Sequence, residues 1–333
     1  MKAVVLKDFG GTDQFMLEDI AVPGNPPGNV LIRIKATAFN PIDYQMRLGL
    51  GESKLLKSPV LGRELAGIVA DAGNSTFSNG DNVYAYVGSL GSNGTYTEYV
   101  SIPQQMVARM PKGISYTEAA AIPMVSLTAL QCAERMQIGS KDSVLIAGGA
   151  GGVGLVLIQL LRISGLNNIV SFAGNEQSKQ ALRKLGLADE QILDYRQPQP
   201  ASLAISANEG KYYDYCIDIV GGTMSDICSE VLKVNGNYAD VAFLGSPQSK
   251  GVLFDIAANI YNIANYAYAA EPHMLHHYGD KLTYLTQLID DGSLRPPQVL
   301  CVGGLSVAAV SEAHRMLEEN KAMGRKLVME VEP

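Results

Sequence analysis

Asp142-Ser143-Val144-Leu145-Ile146-Ala147-Gly148-Gly149-Ala150-Gly151-Gly152-Val153-Gly154 reads as a buried strand running into a glycine turn, and the apolar run over 155–161 reads as the helix that follows. Gly149, Gly151 and Gly154 stand at GxGxxG spacing. In that pattern the first glycine permits a tight turn, the second lets backbone approach a pyrophosphate, and the third lets helix pack close on strand. The amides at the helix start, those of Gly152, Val153 and Gly154, then face the phosphate charge. A chain with 34 glycines produces such a spacing by chance, so the flanking strand and helix carry the reading: a dinucleotide site.

Outward from that turn the texture is α/β. Strands are expected over 143–147, 168–172, 191–194, 213–219 and 236–243, with helical spacing over 177–185 and 223–233 between them. This alternation implies a doubly wound parallel sheet, whose ligands bind beyond the carboxyl ends of the strands. Residues 148–154, Gly174, 220–222 and 244–246 are therefore expected to line one crevice. Upstream, short alternating runs such as Val30-Leu31-Ile32-Arg33-Ile34-Lys35-Ala36 are punctuated by Pro23-Gly24 and Asn79-Gly80-Asp81. These predict strands joined by tight turns, a small barrel or a sandwich. Helical stretches over 117–122 and 126–136 lead into the α/β part. The tail carries helices over 281–290 and 307–320 and a strand over 326–331, and it is expected to return to the first domain because the α/β sheet already has its strands.

Composition narrows the function classes. With 333 residues, 47% hydrophobic and 18% charged, the chain can bury a large core and is expected to form two domains. A net charge of -7 argues against nucleic acid and against anionic membrane surfaces, both of which demand clustered Lys and Arg. A small-molecule ligand is the better expectation. The N-terminus lacks the pattern of a secretory signal, and no apolar run reaches spanning length. Cys132, Cys216, Cys228 and Cys301 are scattered without CxxC spacing, which reads as reduced core thiols of a cytoplasmic protein.

Several motifs together resemble the medium-chain dehydrogenase/reductase superfamily, in its zinc-independent quinone oxidoreductase branch. They are Asn40-Pro41-Ile42-Asp43, Leu61-Gly62-Arg63-Glu64-Leu65-Ala66-Gly67, Gly94-Thr95-Tyr96-Thr97-Glu98-Tyr99, Ala119-Ala120-Ala121-Ile122-Pro123-Met124 with Leu127-Thr128-Ala129, the glycine turn, and Gly324-Arg325-Lys326-Leu327-Val328. The resemblance implies a GroES-like β-barrel catalytic domain (1–122 and 262–333) interrupted by a Rossmann domain (123–261), an active site between them, and a homodimer. Zinc is the departure. The positions that look like ligands of a catalytic Zn²⁺ are Asn40, Arg63 and Met124, which cannot replace Cys and His as a set. The cysteine-rich lobe of a structural zinc is also missing between 87 and 94. No metal is expected. His273, His276 and His277 have a spacing that could face a metal, but a solvated helix end is the better reading.

The cofactor expected is NADPH. An NAD site usually carries an acid at the end of the second strand, whereas Val170-Ser171-Phe172-Ala173-Gly174-Asn175 has none. Lys179 and Tyr195 stand where the resembled family contacts the 2′-phosphate; Glu176 is the counterweight, and a solvated lysine and a packing tyrosine are the plain alternatives. Without zinc, reduction of an isolated ketone is hard, because the charge developing on one oxygen has no Lewis acid. A quinone or conjugated enone spreads that charge, so hydrogen-bond donors and positioning suffice. Asn40 and Tyr44 are the candidate catalytic donors, Asn40 set against a turn residue capping its own backbone, and Tyr44 against Gln45 at the place where the family tyrosine often lies. Thr128, Phe243, Leu244, Gly245 and Arg325 complete the expected cofactor contacts, each against a bland alternative: a helix-internal hydroxyl, core packing or a surface arginine. Two rivals stand beside the reductase of quinones or enones. One is an enoyl-thioester reductase of the same superfamily, the other a non-catalytic NADPH-binding protein.

Overall fold

The structure, a computed structural model, describes residues 1–88 and 94–331; the expectation about the missing zinc lobe falls partly on 89–93, outside the described residues. The chain divides into two compact units, Met1–Leu127 with Asn265–Pro333, and Thr128–Ala264.

The first unit begins with an antiparallel pair, β1 (Lys2–Leu6) and β2 (Phe15–Asp19). Next come β3 (Asn29–Ala38), α1 (Pro41–Arg47), β4 (Glu64–Asp71), β5 (Asn82–Tyr86), β6 (Tyr99–Pro103), β7 (Val107–Arg109), α2 (Tyr116–Ala120) and α3 (Pro123–Met136), which runs across the division between the units. Strand β3 shows why the alternating run is a strand. Val30, Ile32, Ile34 and Ala36 are fully buried, while Leu31, Arg33 and Lys35 between them are partly exposed, which is the period of two that one inward face imposes.

The second unit contains β8 (Val144–Ala147), α4 (Gly152–Ile163), β9 (Ile169–Phe172), α5 (Glu176–Lys184), β10 (Ile192–Leu193), α6 (Pro200–Ala207), β11 (Tyr213–Asp218), α7 (Thr223–Glu230), β12 (Leu232–Asp240), α8 (Pro247–Asp255) and β13 (Asn259–Asn262). The strands make one parallel sheet in the order β10-β9-β8-β11-β12-β13. The chain winds outward from β8 in one direction and then from β11 in the other, so the switch point lies beside β8, where the glycine turn is. All four residues of β8 are buried, as expected of a central parallel strand covered on both faces. The sixth strand, β13, was not foreseen: Asn259-Ile260-Tyr261-Asn262 carries two asparagines, and three of its four residues are exposed at the sheet edge, so no apolar run marks it.

The tail returns to the first unit. It supplies α9 (His276–Asp290), β14 (Val299–Gly304), α10 (Val307–Glu318) and β15 (Lys326–Glu330), and the sheet of the first unit runs β14-β15-β3-β4-β5-β7, with β6 also paired to β3. Strand β14 was also missed; it is the short run Val299-Leu300-Cys301-Val302 ending in two glycines, and none of its residues is buried. Cys132, Cys216 and Cys228 are buried free thiols; Cys301, on β14, is exposed, which corrects the expectation of four core thiols.

Candidate functional site

In the second unit the glycine turn joins β8 to α4 through four residues, 148–151. Gly148 takes φ +86°, so the left-handed conformation falls there and not on Gly149, as the motif had suggested. Gly149 is required for another reason: a Cβ there would run into the Ser171 hydroxyl, itself fixed by donating to the Ile146 carbonyl across the β8–β9 pair. Gly154 has no room at all, because a Cβ would strike Gly148 O and the Gly149 backbone, which is helix packed onto strand. Gly151 differs. A Cβ on it would meet only Gly148 O, at 3.3 Å, and otherwise open space. That space is the cradle a pyrophosphate needs. Gly151 caps α4 with no side-chain acceptor, so the amides of Gly152, Val153 and Gly154 are the first-turn donors that a helix leaves without partners of its own.

The rest of the carboxyl edge is continuous with this turn. Gly148 and Val220 approach so closely that a Cβ on Gly148 would lie 2.9 Å from Val220 Cγ2. Gly222 N–H donates to Leu244 O at 2.9 Å, which ties the loop after β11 to the loop after β12. Phe243 is 85% exposed with φ +55°, Leu244 is 55% exposed, and Gly245 lies just before Ser246, the residue that caps α8. Phe243 was expected to end a strand, but β12 stops at Asp240, whose carboxylate accepts the Phe243 N–H and turns the chain. The large apolar side chains there are therefore exposed at the strand ends and not in the core.

Beyond β9, Gly174 and Tyr195 touch: a Cβ on Gly174 would meet the Tyr195 ring at 2.8 Å, and Tyr195 is itself 46% exposed. Glu176 is engaged by Arg183, which also holds Asp189, so this acid is paired along its own helix. Asp194 accepts two side-chain bonds from Arg196, at 2.9 and 2.7 Å, and Arg196, with Lys179 adding its charge, holds the Asp194 carboxyl well below the usual carboxylate range. Lys179 and Arg196 are thus the two cations beside this strand end, set against the Asp194 carboxylate. Arg196 went unnoticed in the sequence, although it is adjacent to Tyr195 and follows an acid it can pair with.

In the first unit a buried polar network surrounds Asn40. The antiparallel register of β15 with β3 pairs Val328 with Ala38, so two residues beyond Ala38 and two before Val328 bring Asn40 opposite Lys326. Strand β4, on the other side of β3, begins at Glu64. Lys326 Nζ donates to Asn40 Oδ1 and Glu64 Oε1, each at 2.6 Å, and to Phe39 O at 3.2 Å. Asn40 Nδ2 donates to Glu64 Oε1 at 2.8 Å, and Met124 N–H donates to Glu64 Oε2 at 2.7 Å. Glu64 is wholly buried, Asn40 3% exposed and Lys326 5% exposed. The Asn40 side chain thus does not cap its own helix; Asp43 does that work by accepting the Asn40 N–H at 2.7 Å. Burial pushes the Asp43 carboxyl up to about 6 against the pull of Arg63, and its Oδ1 has no partner among the described residues. Tyr96 donates or accepts across 3.1 Å with His314 Nε2, and burial holds that imidazole neutral, down to about 3.

The remaining expected residues are placed as follows. Tyr44 is half-buried on α1, Thr128 is buried in α3, and Arg325 is half-buried with its Nε unpartnered among the described residues. The histidines do not converge: His273 is paired at 3.8 Å with Glu271, His276 contacts the His273 carbonyl and His277 stacks on Tyr268. Lys326 and Glu64 are the network residues that sequence reasoning missed. A signal existed, since each puts a charge at the first position of a strand whose next residues are apolar.

Residues 26–112 match the alcohol dehydrogenase GroES-like domain and residues 187–328 the zinc-binding dehydrogenase domain. A curated relative, an NADPH-dependent alkenal/one oxidoreductase of Arabidopsis thaliana, chloroplastic, is 30% identical over 340 residues that cover 98% of this chain and 79% of the relative. The chain belongs to the medium-chain dehydrogenase/reductase superfamily, in its quinone-oxidoreductase-like branch. Among solved members, the quinone oxidoreductase from Coxiella burnetii is 28% identical with a TM-score of 0.82, covering all of this chain and 99% of that one. An NAD-dependent alcohol dehydrogenase is 26% identical with a TM-score of 0.85 over the whole of both chains.

The zinc that the second family description implies does not fit this member of the superfamily. Arg63 is a permanent cation bound to Glu52 and the Tyr86 hydroxyl, and the oxygens of Asn40 and Glu64 are already held by an ammonium. A dication there would displace or repel Lys326. The dinucleotide does fit: the open side of Gly151 and the first-turn amides of α4 match a pyrophosphate, and the donors of Lys179 and Arg196 match a further phosphate.

Proposed function

We propose that this chain is an NADPH-dependent reductase that adds hydride to a quinone or a conjugated enone without a catalytic metal. When bound, NADPH supplies the hydride; with one proton from solvent, an enone becomes the saturated ketone, or a quinone the hydroquinone, and NADP⁺ is released. The observation that carries the reading is the filling of the zinc-ligand positions by Arg63 and by Asn40 locked to Lys326 and Glu64. Such a site has hydrogen-bond donors to offer an oxygen and no Lewis acid, which selects acceptors that delocalise charge. The alkenal/one activity in the relative's name supports the same substrate class.

In this reading Gly149, Gly151, Gly152, Val153 and Gly154 hold the pyrophosphate. Lys179, Tyr195 and Arg196, beside Gly174, take the 2′-phosphate, and Phe243, Leu244 and Gly245 wall the nicotinamide end. Thr128 and Arg325 complete the cofactor contacts, and Asn40 and Tyr44 donate to the substrate oxygen. The cations Lys179 and Arg196 beside Tyr195 support NADPH over NADH, although one similar structure is of an NAD-dependent enzyme. We place the protein in the cytoplasm as a homodimer. Free buried thiols support a reducing compartment, and the exposed edge strand β13, with Ile260 54% exposed, supports pairing of two copies.

The test is oxidation of NADPH, with NADH in parallel, by purified protein given 9,10-phenanthrenequinone, a short enone or a crotonyl thioester. Turnover with the first two supports the proposal. Turnover confined to the thioester replaces it with the enoyl reductase, and cofactor binding without any turnover replaces it with a binding protein.

A further inference from the structure

The Lys326 ammonium has three hydrogens and three acceptors, Phe39 O, Asn40 Oδ1 and Glu64 Oε1, so it is fully used. Glu64 is equally committed, one oxygen shared by Lys326 and Asn40 and the other given to the Met124 N–H. This leaves the Asn40 amide a single arrangement. Turned over, it would aim its NH₂ at an ammonium and its oxygen at a carboxylate, two repulsive contacts in a buried site where such contacts are least screened. Held as it is, Asn40 has spent its oxygen and one of its two Nδ2 hydrogens, and the second hydrogen has no acceptor among the described residues.

We propose that Lys326 and Glu64 are positioning residues, fixing the Asn40 amide so that its remaining N–H can only donate, and that this donor receives the oxygen of a quinone or enone. The inference rests on the reductase reading. It assigns the two buried charges a task in recognition that a purely structural ion pair would not have: they make Asn40 a donor of fixed direction and deny it the role of acceptor. A carbonyl oxygen is therefore preferred over a hydroxyl that must donate, which biases the site toward the oxidised form of the substrate.

Removing one charge alone would strand the other in the interior, so K326M is paired with K326M/E64Q, which removes both charges of this pair; the one amide oxygen that E64Q leaves can accept from the Met124 N–H, and its NH₂ then faces Asn40, which no longer holds the amide as the wild type does. In the double variant the NADPH dissociation constant is expected to stay within about twofold, while kcat for enone falls at least about tenfold, because the amide is free to turn. The second readout needs no turnover. In ¹⁵N-asparagine-labelled protein the side-chain pair absent from the spectrum of N40S belongs to Asn40; it should show two well-separated proton shifts in the wild type and collapse toward free-amide values in K326M/E64Q. A folded double variant with unchanged kcat, or an Asn40 pair indifferent to K326M/E64Q, overturns the inference. Should the wild type reduce neither quinone nor enone, the reductase reading fails by itself, and the Asn40 spectrum still decides whether the lock exists.

Discussion

Replacing Gly151 and Gly154 separately by alanine should split folding from cofactor binding. A Cβ on Gly154 overlaps Gly148 O, Gly149 Cα and Gly149 C, the last at 2.7 Å, and all three are backbone atoms of the turn that cannot swing aside. Overpacking of this kind costs about 1–3 kcal/mol, and the backbone contact puts G154A at the upper end. At about 2–4 °C per kcal/mol for a chain of this class, the melting temperature should fall by roughly 5–10 °C. G151A has one contact at 3.3 Å and open space beyond, so its melting temperature should stay within about 2 °C. The same methyl, however, stands where the pyrophosphate must approach, and should weaken NADPH binding at least tenfold, about 1.4 kcal/mol. Differential scanning fluorimetry without cofactor and fluorescence titration with NADPH measure the two effects. An unchanged NADPH affinity in a stable G151A would refute the placement of the phosphate at this turn.

Three further outcomes are expected. K179A and R196A should each lower kcat/KM with NADPH by about tenfold to a hundredfold, the worth of one charge-assisted contact, and leave NADH within about threefold; equal losses with both cofactors would move the 2′-phosphate elsewhere. Asp43 is raised from 3.8 to about 6, so the folded state binds its proton more tightly than the unfolded chain, and the stability it contributes is full below pH 3.8 and lost as pH rises through 6. The stability advantage of wild type over D43N, read from urea unfolding, should therefore shrink by about 2 kcal/mol between pH 4.5 and pH 7; a constant difference would show that Asp43 does not hold its proton. Dialysis against a strong zinc chelator should leave turnover within about a fifth of its starting value, whereas activity lost to the chelator and restored by Zn²⁺ would show that Lys326 can be displaced.

The parallel sheet was legible because its strands are buried on both faces and read as apolar runs, while the edge strand β13, with exposed polar residues, left no such trace, and β14 offers only a short apolar run before two glycines. The glycine turn was legible as a motif, but not the division of labour within it: only three-dimensional packing shows that Gly148 takes the left-handed turn and that Gly149 yields to Ser171. In the first unit the sequence pointed to Asn40 and Arg325. It passed over Lys326, because a lysine next to an arginine near a chain end looks solvated, and the partner that buries it, Glu64, is 262 residues away in sequence. Pairings of that range follow from strand register, which alternating hydrophobicity alone does not fix between distant segments.

The central claim is conjugate hydride transfer without a metal, and isotope tracing tests it most directly. The protein would be given 3-buten-2-one and NADPH carrying deuterium at both C4 positions, and the product read by NMR. One deuterium on the former alkene carbon farthest from the carbonyl, in 2-butanone, is the predicted result. Deuterium on the carbonyl carbon, in an allylic alcohol, would contradict the account, because that product requires the oxygen charge to be carried where this site has no Lewis acid to carry it.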